Sequence, residues 1–577
     1  MKKFTAYSLG CLTSIVLIIF IIVFSIFGLT KLARSNYITL NANTLLSISL
    51  SGPIPEYSRF SGDNMFYNQA SVVEIIEAIK IAKTDQRIDG ILLQPEMTSL
   101  GYASLNEIIY ALEDFKKTGK PVIAYLTMAS NNDMLLASVA NEITISASSS
   151  AGLYLKGFGV NMAYYKNMFD NLGIKMHVVS AGKYKDYGTQ YSHDSMSDET
   201  KENLDRVLKA RYDLFVNQLS KNLNLSPILI EGVITNEKFM FLDPVELERT
   251  GIIEMRAFET DFLQKEKNRF ENVIDYKKYL ASSKSNKLKT NNIIAVLYLN
   301  GSIMPFESDF STLTSDWIED AVEEILKNQK IKACVIRVNS PGGSALESEE
   351  ILQILKKLKE KMPVVVSMGD VAASGGYMIS TVGSKIFADP YSITGSIGVV
   401  QMVPDAKKLQ EKIGINHESL EYGKKSTWLN TLNGVSEQQL SALKSSADLV
   451  YDSFKKIVKD GRDGKFTTLD DVEKVAQGQI WDAESAKNNG LIDEVGNLKD
   501  AITYATKLAN LQEDYTRENF PVRKNFLEYL IAERFGSTQI KNLLLKNTSE
   551  TLFQQKMMLD NFKQHQIQTI LPMEFEN

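Results

Sequence analysis

The sequence predicts an α/β protein built from two copies of one domain, each a mostly parallel sheet flanked by helices. Apolar, β-branched segments typical of buried strands alternate along the chain with amphipathic segments of helical period. The same series of segments recurs about 240 residues later, which indicates an internal duplication. A length of 577 residues also exceeds what one hydrophobic core accommodates.

The two copies align in order along the chain. Segment 44–54 (TLLSISLSGPI), a predicted strand, corresponds to 293–303 (IIAVLYLNGSI). Further matches pair 88–93 with 331–336, 120–123 with 362–365, 171–175 with 413–416 and its flank, and 242–254 with 481–493. Apolar spacing predicts helices at 72–81, 105–115, 317–326 and 349–358. We therefore place the domains at 40–280 and 291–510, joined by a polar linker at 281–292.

Composition argues against several classes of protein. A net charge of -6, with ordinary hydrophobic and charged content, disfavours a nucleic-acid partner. The two cysteines, Cys11 and Cys334, fall in an apolar segment and in a predicted strand, so no disulfide framework is expected. No HExxH, paired CxxC or P-loop motif occurs, and we therefore expect neither a metal nor another cofactor.

The N-terminal region, residues 1–35, predicts a membrane anchor. Residues 7–29 carry no charge and are long enough to cross the hydrocarbon core as one helix. Lysines and an arginine flank this segment almost evenly, and the free amino terminus favours an N-terminus inside the cell and a body outside. A cleaved signal peptide is the alternative, but the apolar run is longer than such peptides usually have.

One stretch of the second copy has the pattern of a nucleophile site. Residues 362–368 predict a buried strand that stops at Gly369-Asp370, and the small residues 372–376 open a helix. Ser374 is thus predicted at a strand-to-helix corner, where the first unpaired helix amides point toward it. A serine in such a place attacks a carbonyl if a base removes its proton.

Glycines near the ends of two successive strands predict a site for the developing negative charge. The segment NSPGGS (339–344) ends one strand, and its glycines let backbone amides approach a substrate closely. The amides of Gly343 and Gly375 would then form an oxyanion hole. Taken alone, the segment at 339–344 is equally well explained as a plain turn, and the segment at 372–376 as a plain helix start. One after each of two successive strands, the pair is much more specific.

The segments NSPGGS and GDVAASGGY (369–377), followed by TGSIG (394–398), resemble the signal peptide peptidase A (protease IV) family, which is peptidase family S49. The resemblance covers residues from about 40 to about 510. It implies a membrane-bound serine endopeptidase with the crotonase-like fold shared by the Clp protease subunit. In the long, duplicated form of this family, a lysine from the other half of the chain activates the serine.

The two copies differ where this chemistry is expected. Where the second copy has Ser340 to Gly343, the first has MTSL (97–100), and Asn131-Asn132-Asp133 stand opposite Ser374 and its neighbours. The first copy has therefore lost the nucleophile and the oxyanion glycines. It cannot act as an independent serine enzyme.

The first copy instead keeps a lysine in the segment VVSAGKYKDYGTQY (178–191). By resemblance, the general base lies in G-x-Y-K, which Lys185 matches, whereas Lys183 falls on the variable position. Aligning Gly182 with Gly423 puts Ser426 opposite Lys185, so each copy supplies what the other lacks. The resemblance also implies that Ser396 hydrogen-bonds the lysine amine and holds it in place.

A lysine acts as a base near neutrality only if its charged form is destabilised, since its usual pKa is about 10.4. Burial between the two domains would supply that desolvation for Lys185. Asp186 departs from the family pattern and could hold the lysine protonated if its carboxylate faced the same way. We therefore predict a Ser374/Lys185 dyad, with Asp186 as the residue that puts its efficiency in question.

Other interpretations of the sequence predict different chemistry. Ser180 to Lys183 fits S-x-x-K, but that motif needs a helix, and residues 176–179 predict a strand. His193-Asp194 suggests a triad, although adjacent residues rarely orient each other. Two further alternatives keep the fold: a catalytically inactive scaffold, and an enzyme of the acyl-CoA hydrolase type.

The resemblance also implies partners and a location. Substrates would be peptides, specifically the remnants of cleaved signal peptides, and the chain would form a homo-oligomer, a tetramer in related proteins. The protein would be anchored once in the inner (plasma) membrane, with its catalytic domains on the extracytoplasmic side. Residues 511–577 form a C-terminal extension to which the sequence assigns no function, with weak helix signals at 526–535 and 552–562.

Overall fold

The computed structural model describes residues 40–58, 70–236, 241–283, 291–306, 312–428, 430–511, 514–523 and 568–570. The predicted membrane segment at 7–29 and the weak helix signals at 526–535 and 552–562 lie outside these ranges. Within them, no helix combines the length and the apolar character that a bilayer crossing demands.

The first half alternates strands with helices around one sheet. Its elements are β1 (Thr44–Pro53), α1 (Val72–Thr84), β2 (Ile88–Ser99), α2 (Tyr102–Lys116), β3 (Val122–Leu126), β4 (Met128–Ala129), α3 (Asn131–Ala137), β5 (Glu142–Ile145), β6 (Gly152–Leu153), α4 (Lys166–Leu172), β7 (Lys175–Ala181), α5 (Asp198–Leu223), α6 (Pro227–Ile234), α7 (Pro244–Thr250), β8 (Met255–Arg256), α8 (Glu259–Arg269), β9 (Asn272–Asp275) and α9 (Tyr276–Ser283). The strand order is β8-β5-β3-β2-β1-β9, with parallel pairing throughout this path.

The second half repeats this plan. Its elements are β10 (Ile293–Asn300), β11 (Ser302–Ile303), β12 (Thr312–Leu313), α10 (Ser315–Lys327), β13 (Ile331–Ser340), β14 (Gly342–Ser344), α11 (Ala345–Lys359), β15 (Val364–Ala373), α12 (Gly375–Ser380), β16 (Lys385–Ala388), β17 (Ile393–Gly395), β18 (Val399–Asp405), α13 (Lys407–Ile413), α14 (Glu437–Gly461), α15 (Leu469–Glu473), β19 (Ile480–Asp482), α16 (Ala483–Asn488), β20 (Glu494–Val495), α17 (Leu498–Leu508), β21 (Thr516–Phe520) and, near the C-terminus, β22 (Gln568–Ile570).

The sheet of the second half follows the order β19-β17-β15-β13-β10-β21, with β16 beside β15. Its pairings are parallel except the one between β17 and β19. Strand β10 is buried along residues 293–299, as expected for a parallel strand covered on both faces. The prediction of a mostly parallel sheet flanked by helices in each half is confirmed. This sheet also includes β21, which lies beyond residue 510.

The strand that leads to Ser374 is longer than the sequence predicts. We expected it to stop at Gly369-Asp370, but β15 continues to Ala373. Its last three residues pair with β17, from Val371 with Ile393 to Ala373 with Gly395. Sheet pairing thus overrides the local turn signal and carries the chain directly into Ser374.

A third sheet joins the two halves, with the order β12-β11-β14-β22-β18-β7. Strand β7 of the first half pairs antiparallel with β18 of the second, from Ala181 opposite Val399 to Lys175 opposite Asp405. The segment that follows β7, which contains Lys185, is thereby brought to the second half. Strand β22 lies between β14 and β18.

Candidate active site

Ser374 occupies a sharp turn between β15 and α12. Its backbone has φ 55° and ψ -118°, a conformation that is costly for a residue other than glycine. Its amide donates a hydrogen bond of 2.8 Å to the carbonyl of Gly395, which fixes the turn. A strained strand-to-helix turn of this kind is the arrangement that presents the nucleophilic serine in α/β-hydrolases.

Lys185 reaches Ser374 because its own backbone is packed against the second half. After β7, the chain turns at Gly182, where φ is 117°. The amide of Tyr184 then donates a 2.7 Å hydrogen bond to the carbonyl of Gln477. At the next residue, Gly478, an added Cβ would stand 2.5 Å from the backbone nitrogen of Lys185. The strand pairing and this close approach together position the lysine.

The amine of Lys185 contacts the two serines named by the sequence. Its Nζ lies 3.0 Å from Oγ of Ser374, 3.0 Å from Oγ of Ser396 and 3.0 Å from the carbonyl oxygen of Ser396. Both Lys185, which is 2% exposed, and Ser374, which is 0% exposed, are buried. The distance joins an amine to a hydroxyl at ordinary hydrogen-bond length.

Burial lowers the pKa of Lys185 to about 7, because the protein interior solvates the charged amine less well than water does. The neighbouring Asp186 carboxylate acts in the opposite direction and raises the pKa of the lysine. A pKa near 7 leaves a large fraction of uncharged amine at neutral pH. Such an amine can accept a proton.

The Asp186 side chain is directed to a different partner. Burial raises the pKa of its carboxyl group, and Thr200 hydrogen-bonds it. Its Oδ1 has no hydrogen-bond partner among the described residues. The Asp186 carboxylate therefore influences Lys185 through its charge rather than through a salt bridge.

Gly343 and Gly375 lie where two backbone segments meet beside Ser374. Gly375 is the first residue of α12, and an added Cβ there would stand 3.3 Å from the Cα of Gly342 and overlap Oγ of Ser348. Gly343 lies in β14, and a side chain at this position would overlap the carbonyl of Ile303. Gly375 thus permits the contact between β14 and the start of α12, and Gly343 permits the contact between β14 and β11.

In the first half, the counterpart of this site is filled with polar side chains that hold the backbone. Asp133 forms a capping box with Ser130, and its Oδ1 accepts a hydrogen bond of 3.0 Å from the amide of Thr98. Asn132 donates to the carbonyl of Leu100 at 2.8 Å. These hydrogen-bonded groups stand where the second half has its glycine loop, and they offer no nucleophile.

The competing motifs lie elsewhere. Lys183 is exposed and pairs with Glu199 at 3.4 Å, while Ser180 belongs to strand β7 rather than to a helix. His193 contacts the hydroxyl of Ser192 at 2.9 Å on the surface. In the ranges described, no three or more His, Cys, Asp or Glu side chains gather as metal ligands would.

Sequence reasoning missed Gly478, which supports the lysine. Its backbone has φ 83°, which is typical of a turn. The glycine itself is the signal from which the sequence could have predicted that turn. Nothing in the sequence says that this turn packs against the backbone of Lys185. That contact exists only in the folded chain.

Comparison with known proteins gives the family. The model of peptidase family S49 matches residues 114–248 and 356–512, one region in each half. The chain is 31% identical to Protease 4 of Haemophilus influenzae over 471 residues, which are 78% of this chain and 75% of that protein. It is 30% identical to the chloroplastic serine protease SPPA of Arabidopsis thaliana over 487 residues, 81% of this chain and 69% of that protein.

A third relative, Protease 4 of Salmonella typhi, is 31% identical over 459 residues, which cover 77% of this chain and 73% of that protein. Alignments of this length span both halves of the chain. The chain therefore belongs to peptidase family S49, as a serine peptidase of the long form in which the domain is duplicated.

Proposed function

We propose that this protein is a membrane-anchored serine endopeptidase in which Ser374 is the nucleophile and Lys185 the general base. One observation carries the proposal: the buried Nζ of Lys185 lies 3.0 Å from Oγ of Ser374, although the two residues come from different halves. Burial that lowers the pKa of the lysine to about 7 supports its role as a base.

The hydrogen bonds at Nζ fit an uncharged amine. A neutral amine has two N–H groups and one lone pair, and Nζ has three partners at 3.0 Å. The carbonyl of Ser396 can only accept, and Oγ of Ser396 can accept the second N–H. The lone pair then remains for the hydroxyl proton of Ser374, which makes Ser396 a positioning residue.

The first chemical step forms the acyl-enzyme. Lys185 takes the proton of Ser374 as Oγ bonds to the peptide carbonyl carbon, and the carbonyl oxygen takes up the negative charge. Backbone amides of Gly343 and Gly375 would stabilise that oxyanion. When the intermediate collapses, the C–N bond breaks and Lys185 returns the proton to the leaving amine.

The second step restores the enzyme. Lys185, again uncharged, takes a proton from water, whose oxygen attacks the acyl carbon. The bond to Oγ of Ser374 breaks, the serine regains its proton from the lysine, and the carboxyl product leaves. The Lys185 amine thus moves every proton in the cycle.

Peptide substrates are supported by the path of this chain's own backbone. Residues 568–570 lie antiparallel to Gly342–Ser344, with Thr569 opposite Gly343. An extended peptide therefore fits beside the glycine strand, where main-chain hydrogen bonds give affinity without a specific sequence. A substrate in this place would present its carbonyl beside Ser374.

The proposal includes location and substrate class. The uncharged segment 7–29 supports a single membrane crossing with the catalytic domains outside the cytoplasm. Membership of the family supports remnant signal peptides as substrates and a homo-oligomeric assembly. Alkaline extraction of membranes, followed by protease protection in intact and opened spheroplasts, tests the anchoring and its orientation.

A fluorophosphonate probe tests the catalytic assignment in the full-length protein. We expect the wild type to be labelled and to cleave a signal-peptide substrate, and Ser374→Ala and Lys185→Ala to do neither. Ser180→Ala and Lys183→Ala are matched controls, because they remove the same groups from the competing motif nearby and should retain labelling.

Two outcomes would favour the alternatives. A wild type that neither reacts with the probe nor cleaves peptides would indicate an inactive scaffold. Turnover of acyl-CoA thioesters without turnover of peptides would indicate the other hydrolase class. Labelling that is lost in Lys183→Ala but kept in Lys185→Ala would show that Lys183, and not Lys185, is the general base.

A further inference from the structure

Helix α5 contacts both segments that form the candidate active site. In its first turn, Thr200 hydrogen-bonds the carboxyl group of Asp186, which adjoins the lysine of the site. Two turns further on, Val207 belongs to the same buried apolar cluster as Ala373, which precedes the serine of the site. One helix of the first half therefore bridges the segment of the lysine and the strand that leads to the serine.

Arg206 of this helix is held against strand β19 by stacking and by hydrogen bonds. Its guanidinium carbon lies 3.9 Å from the centroid of the Trp481 ring, a separation at which a planar cation and an aromatic face attract each other. Its Nη2 donates to the carbonyl oxygen of Ile480 at 2.7 Å and to Oδ1 of Asn203 at 2.7 Å. The amide of Ile480 donates to that same Oδ1 at 3.3 Å, so side chains of α5 bind both backbone groups of Ile480.

Strand β19 is the neighbour of β17, on which the turn of Ser374 depends. Ile480 lies opposite Gly395 in this antiparallel pair, and the carbonyl of Gly395 accepts the amide of Ser374. A Cβ added to Gly395 would stand 2.7 Å from Cδ1 of Trp481, so the indole lies directly beside this glycine. Both contacts of Arg206, with Ile480 and with Trp481, thus end next to the residue that fixes the serine turn.

The same pair of strands also orients the lysine amine. Ser396 follows Gly395, and its amide donates at 2.6 Å to the carbonyl of Gln479, the residue before β19. The carbonyl oxygen and Oγ of Ser396 each lie 3.0 Å from Nζ of Lys185. A shift of β19 would therefore reach the hydroxyl of Ser374 and the amine of Lys185 together.

We propose that Arg206 is a positioning residue for peptide hydrolysis, which acts through Trp481 and β19 on the turn that carries Ser374. Within the described ranges, none of its hydrogen bonds reaches the reacting atoms. The role requires arginine, because a planar guanidinium stacks on an indole while it also donates hydrogen bonds, and an ammonium group does not. This role rests on the proposed function, since it takes Ser374 as the nucleophile and Lys185 as the base.

Kinetics of full-length variants test this role. Arg206→Met keeps an unbranched apolar side chain and removes the guanidinium. Because small displacements of reacting groups slow catalysis by up to about 100-fold, we expect kcat to fall about 10- to 100-fold with little change in KM. The rate of fluorophosphonate labelling should fall by a similar factor, since the small probe needs an oriented Ser374 but no bound peptide.

Arg206→Lys keeps the test decisive if Arg206→Met does not fold. It retains the positive charge and a donor for the carbonyl of Ile480, but it loses the planar stack on Trp481. We expect it to fold and to have a kcat about 10-fold below that of the wild type. A wild-type kcat in Arg206→Lys would overturn the role, whatever Arg206→Met does.

A double-mutant cycle tests the route through the indole. Trp481→Leu alone should lower kcat by about 10-fold or more. Because residues in contact share one interaction, Arg206→Met/Trp481→Leu should lose little more than the worse single variant. Losses that simply multiply in the double variant would overturn the route.

Arg523→Met is the matched control. Arg523 also lies over an aromatic ring, 4.9 Å from the centroid of Tyr57, and it also donates to the other half, to Glu74 at 2.6 Å. It follows β21, which lies at the opposite edge of the sheet from β19. Its replacement should lower the unfolding midpoint but leave kcat and the labelling rate unchanged below that midpoint.

Two sets of results separate this role from the proposed function. Normal kcat and labelling in Arg206→Met, or an equal loss in Arg523→Met, would overturn the positioning role and leave the dyad intact. A wild type that the probe does not label, or a Ser374→Ala variant that it still labels, would overturn the proposed function and this role with it.

Discussion

The carboxylate of Asp370, on the strand that leads to Ser374, accepts a 2.7 Å hydrogen bond from the hydroxyl of Ser104 in the other half of the chain. The same carboxylate accepts the amide of Ala103 at 2.7 Å, so it caps helix α2. The helix has Gly101 at its N-cap position, which offers no capping side chain. The strand that leads to Ser374 is thus attached to the half that contains Lys185.

Replacing Asp370 should weaken the contact between the halves. Asp370→Ala removes a charged cap and leaves buried amides without an acceptor, so we expect a loss of about 1–2 kcal/mol and a lower unfolding midpoint. Asp370→Asn keeps one oxygen acceptor and should lose less. Asp170→Asn, an exposed carboxylate in α4, is the control; an equal effect there would contradict the capping role.

Activity should rise with pH as Lys185 loses its proton. Because burial lowers its pKa to about 7, kcat/KM should climb through about pH 7 and level off above it. Asp186→Asn removes a negative charge that raises the pKa of the lysine, so the midpoint should move to lower pH. Peptide hydrolysis measured across pH checks both statements, and a midpoint that moves upward in Asp186→Asn would refute the second.

The buried amine of Lys185 should lower the free energy of unfolding. Below about pH 7 the folded protein must bury a charged lysine. Between about pH 7 and 10.5 only the unfolded chain binds that proton. The free energy of unfolding therefore rises with pH across this window. Lys185→Met should therefore be inactive yet more stable below pH 7, by at most about 5 kcal/mol. The gain should shrink as the pH approaches 10.5. Unfolding midpoints across pH measure it, and a gain independent of pH would point to packing alone.

Ser396 should act on the rate rather than on substrate binding. Ser396→Ala removes one of the acceptors that orient the Lys185 amine, and we expect kcat to fall by about 10- to 100-fold with little change in KM. Ser396 has φ 52°, so Ser396→Gly removes the hydroxyl without adding backbone strain. Both variants should show the same loss of kcat. A normal kcat in the glycine variant would show that only the backbone conformation of Ser396, and not its hydroxyl, matters.

Gly478 should be intolerant of any side chain. In Gly478→Ala, the new Cβ would stand 2.5 Å from the backbone nitrogen of Lys185 and 2.6 Å from its Cα. The lysine must therefore move, and we expect activity to be lost. Gly464→Ala is a matched control, because Gly464 also has positive φ but has no heavy atom within 4 Å of the added Cβ. An equal loss of activity in the two variants would show that backbone strain, and not displacement of the lysine, is the cause. Normal activity in Gly478→Ala would contradict the prediction outright.

The sequence by itself determined the α/β class, the duplication and the short list of reactive residues. The apolar periodicities of strands and helices follow from local backbone geometry. The duplication is visible as similar segments that recur in the same order. The loss of Ser and Gly from one copy, beside the retention of Lys185, is likewise visible without coordinates. Local signals failed where pairing overrode them, as in the extension of β15 beyond Asp370.

Only the tertiary structure decided how the two copies meet. The 3.0 Å distance from Lys185 to Ser374, the cap supplied by Asp370 and the turn of Gly478 all join residues far apart in the chain. Such contacts follow from the docking of β7 on β18 and from the desolvation that docking imposes. Neither spacing nor composition encodes them, because they are properties of the packed interior.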